Sequence, residues 1–496
     1  MWEELKKLLG HSMIYGVGSL LSKAVGFLLI PFYTHYLRPS QYGTLELLDL
    51  TMGFVGLLLS VWVTTPLVRF YHDTEDEAER RIVVSTTMWT VGCVAMALSS
   101  TALLCSTEIS TLVLKSPNFS FCVKIVAVSF FLSSINVVAW NYFRAKERSA
   151  LIVSFNLCSL VIMLTINIYF VGVLKLGVLG VLYGGLLGNY VVNAILTVKM
   201  LREVGLGFDF QKMKALAVFG ARLVFTNIGA FILNFSDRFF LQSYSNSSSV
   251  GTYALGYKFG YMLSFLVIQP FNMIWSARMY EIAKKQDAKR IFAQFGAYLC
   301  LVLTSVALGI SVVMKDVISI MTAADFHSAY RIVPLIALAY VFQGLTYHFQ
   351  TGILIEKKTF YMGIMGGMAA LTNVALNFLL IPLYKGMGAA WATTVSFLGL
   401  ALLAYSFSQR TYPVPYKILK FCGPILLATG MYLISTMITI TIPALSIAVK
   451  LLLVPAFWAI LYLLGYFDKE EVVKVKSLFR MILLRYVWRT AILPGG

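Results

Sequence analysis

The sequence predicts an all-α polytopic membrane protein: fourteen transmembrane helices, arranged as two parallel six-helix lobes followed by two C-terminal helices. Three observations carry this prediction. The 496 residues are 59% hydrophobic and only 12% charged, with a mean hydropathy of +0.80, whereas a soluble chain carries about a quarter of its residues as charges. Basic residues gather in alternate loops between the apolar runs. The second half of the chain echoes the first at an offset of about 209 residues.

A span needs about 20 mainly apolar residues. The first six runs centre near Lys23, Gly56, Val94, Ser129, Val161 and Gly188. The next six centre near Phe225, Ser264, Leu303, Tyr340, Ala370 and Val395, and the last two near Leu427 and Ala456, joined by a very short turn at Ile442 and Pro443. The opening "MWEELKKLLG" is short and charged and runs on into a full span, so it does not read as a cleavable signal. This divides the chain into a first lobe (1–200), a linker (201–214), a second lobe (215–410), the two added spans (411–467) and a tail (468–496).

The net charge of +18 follows the loops. With the N-terminus inside, the inner loops hold "RAKERS" (Arg144 to Ser149), the Lys199 to Lys214 connection, "EIAKKQDAKR" (Glu281 to Arg290), "IEKKT" (Ile355 to Thr359) and the Arg410 to Lys420 link. The outer loops hold little more than Arg38, Lys115, Lys124, Lys175, Arg238, Lys315, Arg331 and Lys385. Excess Lys and Arg mark the cytoplasmic side, which places both termini in the cytoplasm of a cell whose inner (plasma) membrane the chain crosses many times. In the tail, Val472, Val475, Phe479, Ile482 and Tyr486 form one apolar stripe with Lys474, Lys476, Arg480 and Arg485 off it. That pattern suits a helix lying on anionic membrane lipids; a solvated helix packed on the protein is the plainer reading.

The repeat keeps one register. Tyr36 meets Tyr244, Gly43 meets Gly251, Thr44 meets Thr252, and Arg81-Ile82 meets Arg290-Ile291; further on, Asn167 meets Asn377 and Lys175 meets Lys385. Six spans per copy return the chain to its starting side, so the copies insert in parallel. In parallel-repeat transporters the substrate lies between the halves, and rocking of one half against the other alternates access.

Ionisable groups inside spans are costly and face a bundle interior or a watery cavity. Glu46 and Asp49 are three apart on one helix and continue into Gly53, Gly56 and Ser60. This stripe either packs closely on another helix or lines a cavity, and the acids favour a cavity. Lys23, Arg222 and Lys258 are cations within spans one, seven and eight, and Asp237 and Arg238 end span seven. Span eight has no acid of its own in the core, so these cations predict a cavity with surplus positive charge, suited to a large anion such as a lipid diphosphate; structural ion pairing, for instance of Lys23 with Asp49, is the alternative. Tyr340, Gln343, Tyr347 and Gln350 stripe the tenth span, with Ser133 and Asn136 in the corresponding region of the fourth. They suit sugar hydroxyls and suit inter-helix hydrogen bonding equally. Pro31, Pro66 and Pro270 are candidate hinges.

Other classes find little support. The six cysteines are scattered without a Cys-x-x-Cys pair, and the five histidines form no helical metal pair. No metal site or organic cofactor is expected. No basic block with interleaved aromatics stands outside the spans, which argues against nucleic acid as a partner. A membrane polymerase, ligase or acyltransferase needs a sizeable outer loop or a catalytic His or Arg cluster; the longest outer run, Cys105 to Ser120, offers only Glu108 and Lys115 as charges.

"SLLSKAVGFLLIPFYTHYLRPSQYGTLELL" resembles the N-terminal signature of Wzx-type polysaccharide and oligosaccharide flippases, members of the multidrug/oligosaccharidyl-lipid/polysaccharide exporter superfamily. "SDRFFLQSYSNSSSVGTYALGYKFG" is similar to the matching start of their second lobe, and "IPLYKGMGAAWATTVS" to a late second-lobe signature. The resemblance covers the whole chain and implies a transporter, not an enzyme. It would move an undecaprenyl-diphosphate-linked oligosaccharide from the inner to the outer leaflet, coupled to H+ or Na+, beside polysaccharide polymerase and glycosyltransferase machinery. Lys23, Arg222 and Lys258 match the positions of family cavity cations by span. Gln343 and Tyr347 are then substrate-binding candidates, and Asp49, Glu46 and Asp237 ion-coupling candidates. The superfamily also holds lipid II flippases and multidrug extruders; buried acids suit the latter, while the three cations count against it.

The sidedness is testable by labelling. Cysteines placed at Ser40 and Ser247 should react with a membrane-impermeant maleimide added outside the cell, and those at Ser149 and Thr359 should not; labelling at Ser149 would reverse the topology.

Overall fold

A computed structural model describes residues 26–60, 62 and 65–467. Among them there is no strand. Lys23 and the tail from 468 onward lie outside the described residues.

After a helical stretch over 26–36, the chain turns at "RPSQ", where Pro39 opens α1 (Pro39–Leu59) and the Arg38 backbone N–H donates to Gln41 Oε1 at 3.0 Å. Pro at the first helical turn gives up an N–H that has no partner there anyway. α2 (Thr65–Asp73), α3 (Glu77–Leu104), α4 (Ser106–Leu114), α5 (Ser120–Ala145), α6 (Ser149–Asn167) and α7 (Val178–Val204) complete the first lobe. α8 (Phe210–Tyr244), α9 (Ser247–Leu263), α10 (Gln269–Ala283), α11 (Ala288–Met321), α12 (Val333–Phe349), α13 (Thr351–Ile355) and α14 (Phe360–Thr411) form the second. α15 (Leu419–Ser435), α16 (Pro443–Leu451) and α17 (Leu453–Leu463) follow. Among the described residues eight helices are long and apolar enough to cross a membrane, and the bent pair Ala324–Arg331 with Val333–Ile355 makes a ninth. α14 is two rods joined at Lys385, whose φ of 49° breaks the helix. The arrangement is compatible with fourteen spans.

The loops rich in Lys and Arg define one face of the bundle, here the basic face. There Glu203 at the end of α7 accepts from Tyr142 Oη, Lys146 Nζ and Arg148 Nη1, each at 3.0 Å, and ties the α5–α6 turn down. The connection between the lobes is strapped to α3. Ser85 Oγ donates to Gly207 O, Trp89 Nε1 to Leu206 O at 3.2 Å, the Asp209 N–H to Thr86 Oγ1 at 3.0 Å, and Lys212 pairs with Glu79.

The repeat recurs in the backbone. Among described non-glycine residues, left-handed φ occurs at Glu147 (55°) and Lys357 (56°), and again at Lys175 (54°) and Lys385 (49°), each pair 210 positions apart. These conformations are uncommon outside glycine. Chance would not place two such pairs in the same register.

Two expectations change. Cys105 to Ser120 folds into the short helix α4 and a 3-10 turn at Pro117–Phe119; Lys115, left-handed at φ 56°, ends α4. Arg238, counted with the outer loops, lies one and a half turns inside α8 and is only 1% exposed. The polar run "LQSYSNSS" ends that helix later than hydropathy places it, because Asn246 begins the next one by accepting from the Ser249 N–H at 2.9 Å.

The lobes meet where α1 crosses α9 on the face opposite the basic one. The contact is reciprocal: a β-carbon on Gly43 would collide with the Ser247 carbonyl oxygen, and one on Gly251 with that of Pro39. Gln242 Nε2 also donates across the interface to Leu114 O at 2.9 Å. Mid-bundle, the Phe54 and Phe231 rings lie 4.7 Å apart. Towards the basic face Trp62 Nε1 donates to Ala217 O at 2.9 Å and Arg69 stacks 4.7 Å from the Phe219 ring. The lobes therefore touch at both ends.

The last helices dock on α11. Leu301, Leu308, Phe457 and Leu461 form a separate core there. Beside it Lys450 Nζ donates to Asp316 Oδ2 at 2.7 Å and Ser446 Oγ to the same oxygen at 3.0 Å, with both charged residues buried. All six cysteines are free.

Two stability predictions follow from these contacts. Lys450→Met strands a buried carboxylate and should cost about 3–5 kcal/mol in thermal unfolding of the detergent-solubilised protein. Asp316→Leu with Lys450→Met should recover most of that loss. Gly43→Ala should cost about 1–3 kcal/mol by overpacking the crossing, while Ala at Gly53, which meets no atom within 4 Å, should not.

Candidate inter-lobe site

Two cavities flank the inter-lobe contact, and α1 divides them. Glu46 and Asp49 are 300° apart at 100° per residue, or 60° the short way round. They share a broad face, as expected, yet fall on either side of its ridge. Asp49 opens into a cavity of about 710 Å³ within the first lobe, with Gly53, Gly56, Ser60, Ser133, Asn189 and Tyr190. Glu46 opens into a cavity of about 550 Å³ against the second lobe, with Arg238, Tyr257, Lys258, Gln343 and Tyr347. The glycines thus line the first cavity.

Asp49 is exposed to its cavity, and among the described residues no cation comes within salt-bridge distance of it. Tyr33 lines the same space.

Glu46 is paired. Its Oε2 is 3.2 Å from Lys258 Nζ and its Oε1 4.0 Å from Arg238 Nε. Both cations belong to the second lobe, so the pair crosses the interface. Lys258 Nζ also donates to Tyr42 Oη at 2.9 Å. Arg238 Nη1 donates to Asp237 Oδ1 and to Asn234 O, both at 2.6 Å, and the guanidinium lies 3.8 Å from the Tyr257 ring centroid. Its Nε has no hydrogen-bond partner. The other Asp237 oxygen accepts from Tyr253 Oη and from Thr393 Oγ1, the latter at 3.3 Å.

Two cations, Arg238 and Lys258, and one acid, Glu46, line this cavity, and Asp237 pairs with Arg238 outside that lining. Lys258 is met by the acid that span eight lacks, which arrives from α1. A cation and its counter-ion on different helices leave no signal in a pattern read one span at a time. Arg222 lies in α8, about 18 Å from its start at 1.5 Å per residue; its side chain, like Lys23, is outside the described set.

The tenth-span stripe lines the same cavity. Tyr340 Oη meets Tyr257 Oη at 2.9 Å, and Gln269 Nε2 donates to Tyr261 Oη at 3.3 Å. Gln343 and Tyr347 face the space. Gln350 is buried away from it, and Asn136 bonds to Thr197 Oγ1 at 2.8 Å, a helix–helix contact. A π-helical turn, Ser264–Ile268, sits just before Pro270 in the span that carries Lys258; π-turns concentrate at functional sites.

Sequence reasoning missed a polar cluster behind Asp237. Ser236 Oγ donates to Asn373 Oδ1 at 3.2 Å and Asn377 Nδ2 to the same oxygen at 2.9 Å. Asn373 Nδ2 and Asn377 Oδ1 are buried without partners. The Asn167–Asn377 match in the repeat was the available signal, and Asn167 Oδ1 is likewise unpartnered. Among the described residues no group of three or more His, Cys, Asp or Glu could hold a metal ion.

Known structures share this architecture. A lipid II flippase MurJ in an inward closed conformation aligns with a TM-score of 0.71 at 14% identity, over 91% of this chain and 99% of that one. An inward-facing multidrug resistance MATE family transporter of the MOP superfamily aligns at 0.62 and 10% identity, over 77% and 93%. The Vibrio cholerae MATE transporter VcmN in its bent form aligns at 0.53 and 15%, over 83% and 98%. Likeness at such identities speaks for the fold. No curated protein matches the chain. The family model for polysaccharide biosynthesis proteins matches residues 34–331, more than half of the sequence. The helical fold of the described residues is one those transporters share, and the chain belongs to the polysaccharide biosynthesis protein family.

Proposed function

We propose that the protein flips an undecaprenyl-diphosphate-linked oligosaccharide from the inner to the outer leaflet of the plasma membrane, by alternating access between its lobes, for cell-surface polysaccharide biosynthesis. The observation that carries this reading is the Glu46–Lys258 pair: an ion pair between two lobes, set in a cavity edged by Tyr and Gln. Cations there suit a diphosphate, and amides with tyrosine rings suit sugars. The family match supplies the polysaccharide context.

In this reading Lys23, Arg222 and Lys258 meet the diphosphate, whose desolvated charge needs a positive partner, and Gln343 and Tyr347 contact the glycan. The lobes are residues 1–200 and 215–410. Asp49 carries the coupling proton or sodium ion, because it faces open space and holds no cation partner among the described residues. Glu46 and Asp237 are the other coupling candidates. Asp237 is the less exchangeable, since Arg238, Tyr253 and Thr393 already occupy its oxygens. Both termini face the cytoplasm, where glycosyltransferases assemble the lipid-linked unit, and a polymerase receives it outside.

Complementation of polysaccharide display in a strain lacking this gene tests the reading, with membrane abundance measured in parallel. Arg222→Gln, Lys23→Gln and Asp49→Asn should abolish display at unchanged abundance. Arg222→Lys should keep part of it, since charge remains and the bidentate grip is lost. Normal display with Arg222→Gln and Lys23→Gln together would overturn the cationic mechanism. Rescue of cells depleted of their lipid II flippase, without rescue of display, would move the substrate to lipid II.

A further inference from the structure

Glu46 stands where a substrate anion would stand. It is the first-lobe carboxylate placed against the two second-lobe cations of the cavity, at 3.2 Å from Lys258 and 4.0 Å from Arg238. Arg238 is fully buried, and its Nε faces this carboxylate with no hydrogen bond of its own. One guanidinium N–H is thus held ready but not satisfied. Lys258, by contrast, keeps a 44% exposed side chain that reaches the cavity.

The position on the helices matters. Glu46 is three residues, about 4.5 Å, along α1 from the Gly43–Gly251 crossing. An ion pair so close to the backbone contact holds the two helices together on the face opposite the basic loops. Parting the lobes there leaves Glu46 and Lys258 without counter-charges in a poorly solvated space, which costs several kcal/mol per ion, and takes from Arg238, still paired with Asp237, the carboxylate its Nε faces. A replacement anion removes that cost for Lys258 and gives the Arg238 Nε a partner.

We infer that Arg238 and Lys258 form a phosphate-binding pair that Glu46 occupies in the empty protein, so that an incoming phosphate displaces the carboxylate and releases the lobe contact. Arg238 is thereby a binding residue, beside Lys258, and Glu46 an internal competitor. This rests on the transport reading above. It gives that reading a reason for the lobes to part on this side only when the cavity is loaded: a ligand shifts a conformational equilibrium by its differential affinity for the two states.

The test uses the full chain in detergent and two readouts, binding of inorganic pyrophosphate and hydrogen exchange of the peptides covering 36–50 and 244–260. In the wild type, pyrophosphate should speed exchange in both peptides. Glu46→Gln should speed it without ligand and tighten pyrophosphate binding about tenfold, or ~1.4 kcal/mol. Arg238→Gln and Lys258→Gln should each weaken binding. The exchanged pair, Glu46→Lys with Lys258→Glu, should restore slow exchange and lose the pyrophosphate response, which shows that a Glu46 variant fails through lost charge and not through misfolding. Glucuronate should produce no response; a response to it instead of pyrophosphate would overturn the phosphate assignment. Equal pyrophosphate affinity in the wild type and Glu46→Gln, or unchanged exchange in Glu46→Gln, would overturn the displacement. These outcomes are separate from polysaccharide display: an exporter in which Glu46→Gln matches the wild type defeats this inference alone, and a working latch in a protein that restores no display defeats the transport reading alone.

Discussion

An ionised side chain in a hydrocarbon layer must find its counter-charge within the protein, and much of this structure follows from how that demand is met. Glu46 finds its partners in the opposite lobe, Lys258 at 3.2 Å and Arg238 at 4.0 Å. Because the counter-ions sit on different rigid bodies, the electrostatics of the site and the relative position of the lobes are one problem.

The same demand is met differently elsewhere, and the contrast separates structural pairs from working ones. Lys450 and Asp316 are buried together, with Ser446 as a third partner. They close a contact between α16 and α11 that is backed by its own apolar core and opens onto neither cavity. Asp237 and Arg238 are neighbours in sequence, so lobe motion leaves that pair intact. Among these ion pairs of the described residues, only those of Glu46 both span the interface and face a cavity. Asp49, one turn further along α1, faces the other cavity with no such partner among the described residues.

Close approach of the lobes needs glycine as much as charge. The reciprocal contact of Gly43 with Ser247 and of Gly251 with Pro39 brings two helix backbones together where any side chain would hold them apart. That proximity lets the Glu46 side chain reach Lys258. Contacts at Trp62–Ala217 and Arg69–Phe219 close the basic face as well, so the lobes are held together at both ends. The π-turn and proline in the span carrying Lys258 supply a place to bend.

The sequence by itself determined the class, the helical content and the duplicated order of elements, because hydropathy and loop charge are local, one-dimensional properties. The 210-residue register seen in Asn167 and Asn377, and in Lys175 and Lys385, reappears as buried amides and left-handed turns at the same positions. It also singled out Glu46, Asp49, Lys258, Gln343 and Tyr347, since a polar group in an apolar run is conspicuous wherever it points. The tertiary structure decided which of these groups meet. It sent Glu46 and Asp49 into different cavities, drew Arg238 out of the expected loop and into the core, and neutralised Lys258 with an acid more than two hundred positions away. Those outcomes depend on how helices from separate lobes cross, and crossing geometry is set by packing between segments that the periodicity of either one alone does not contain.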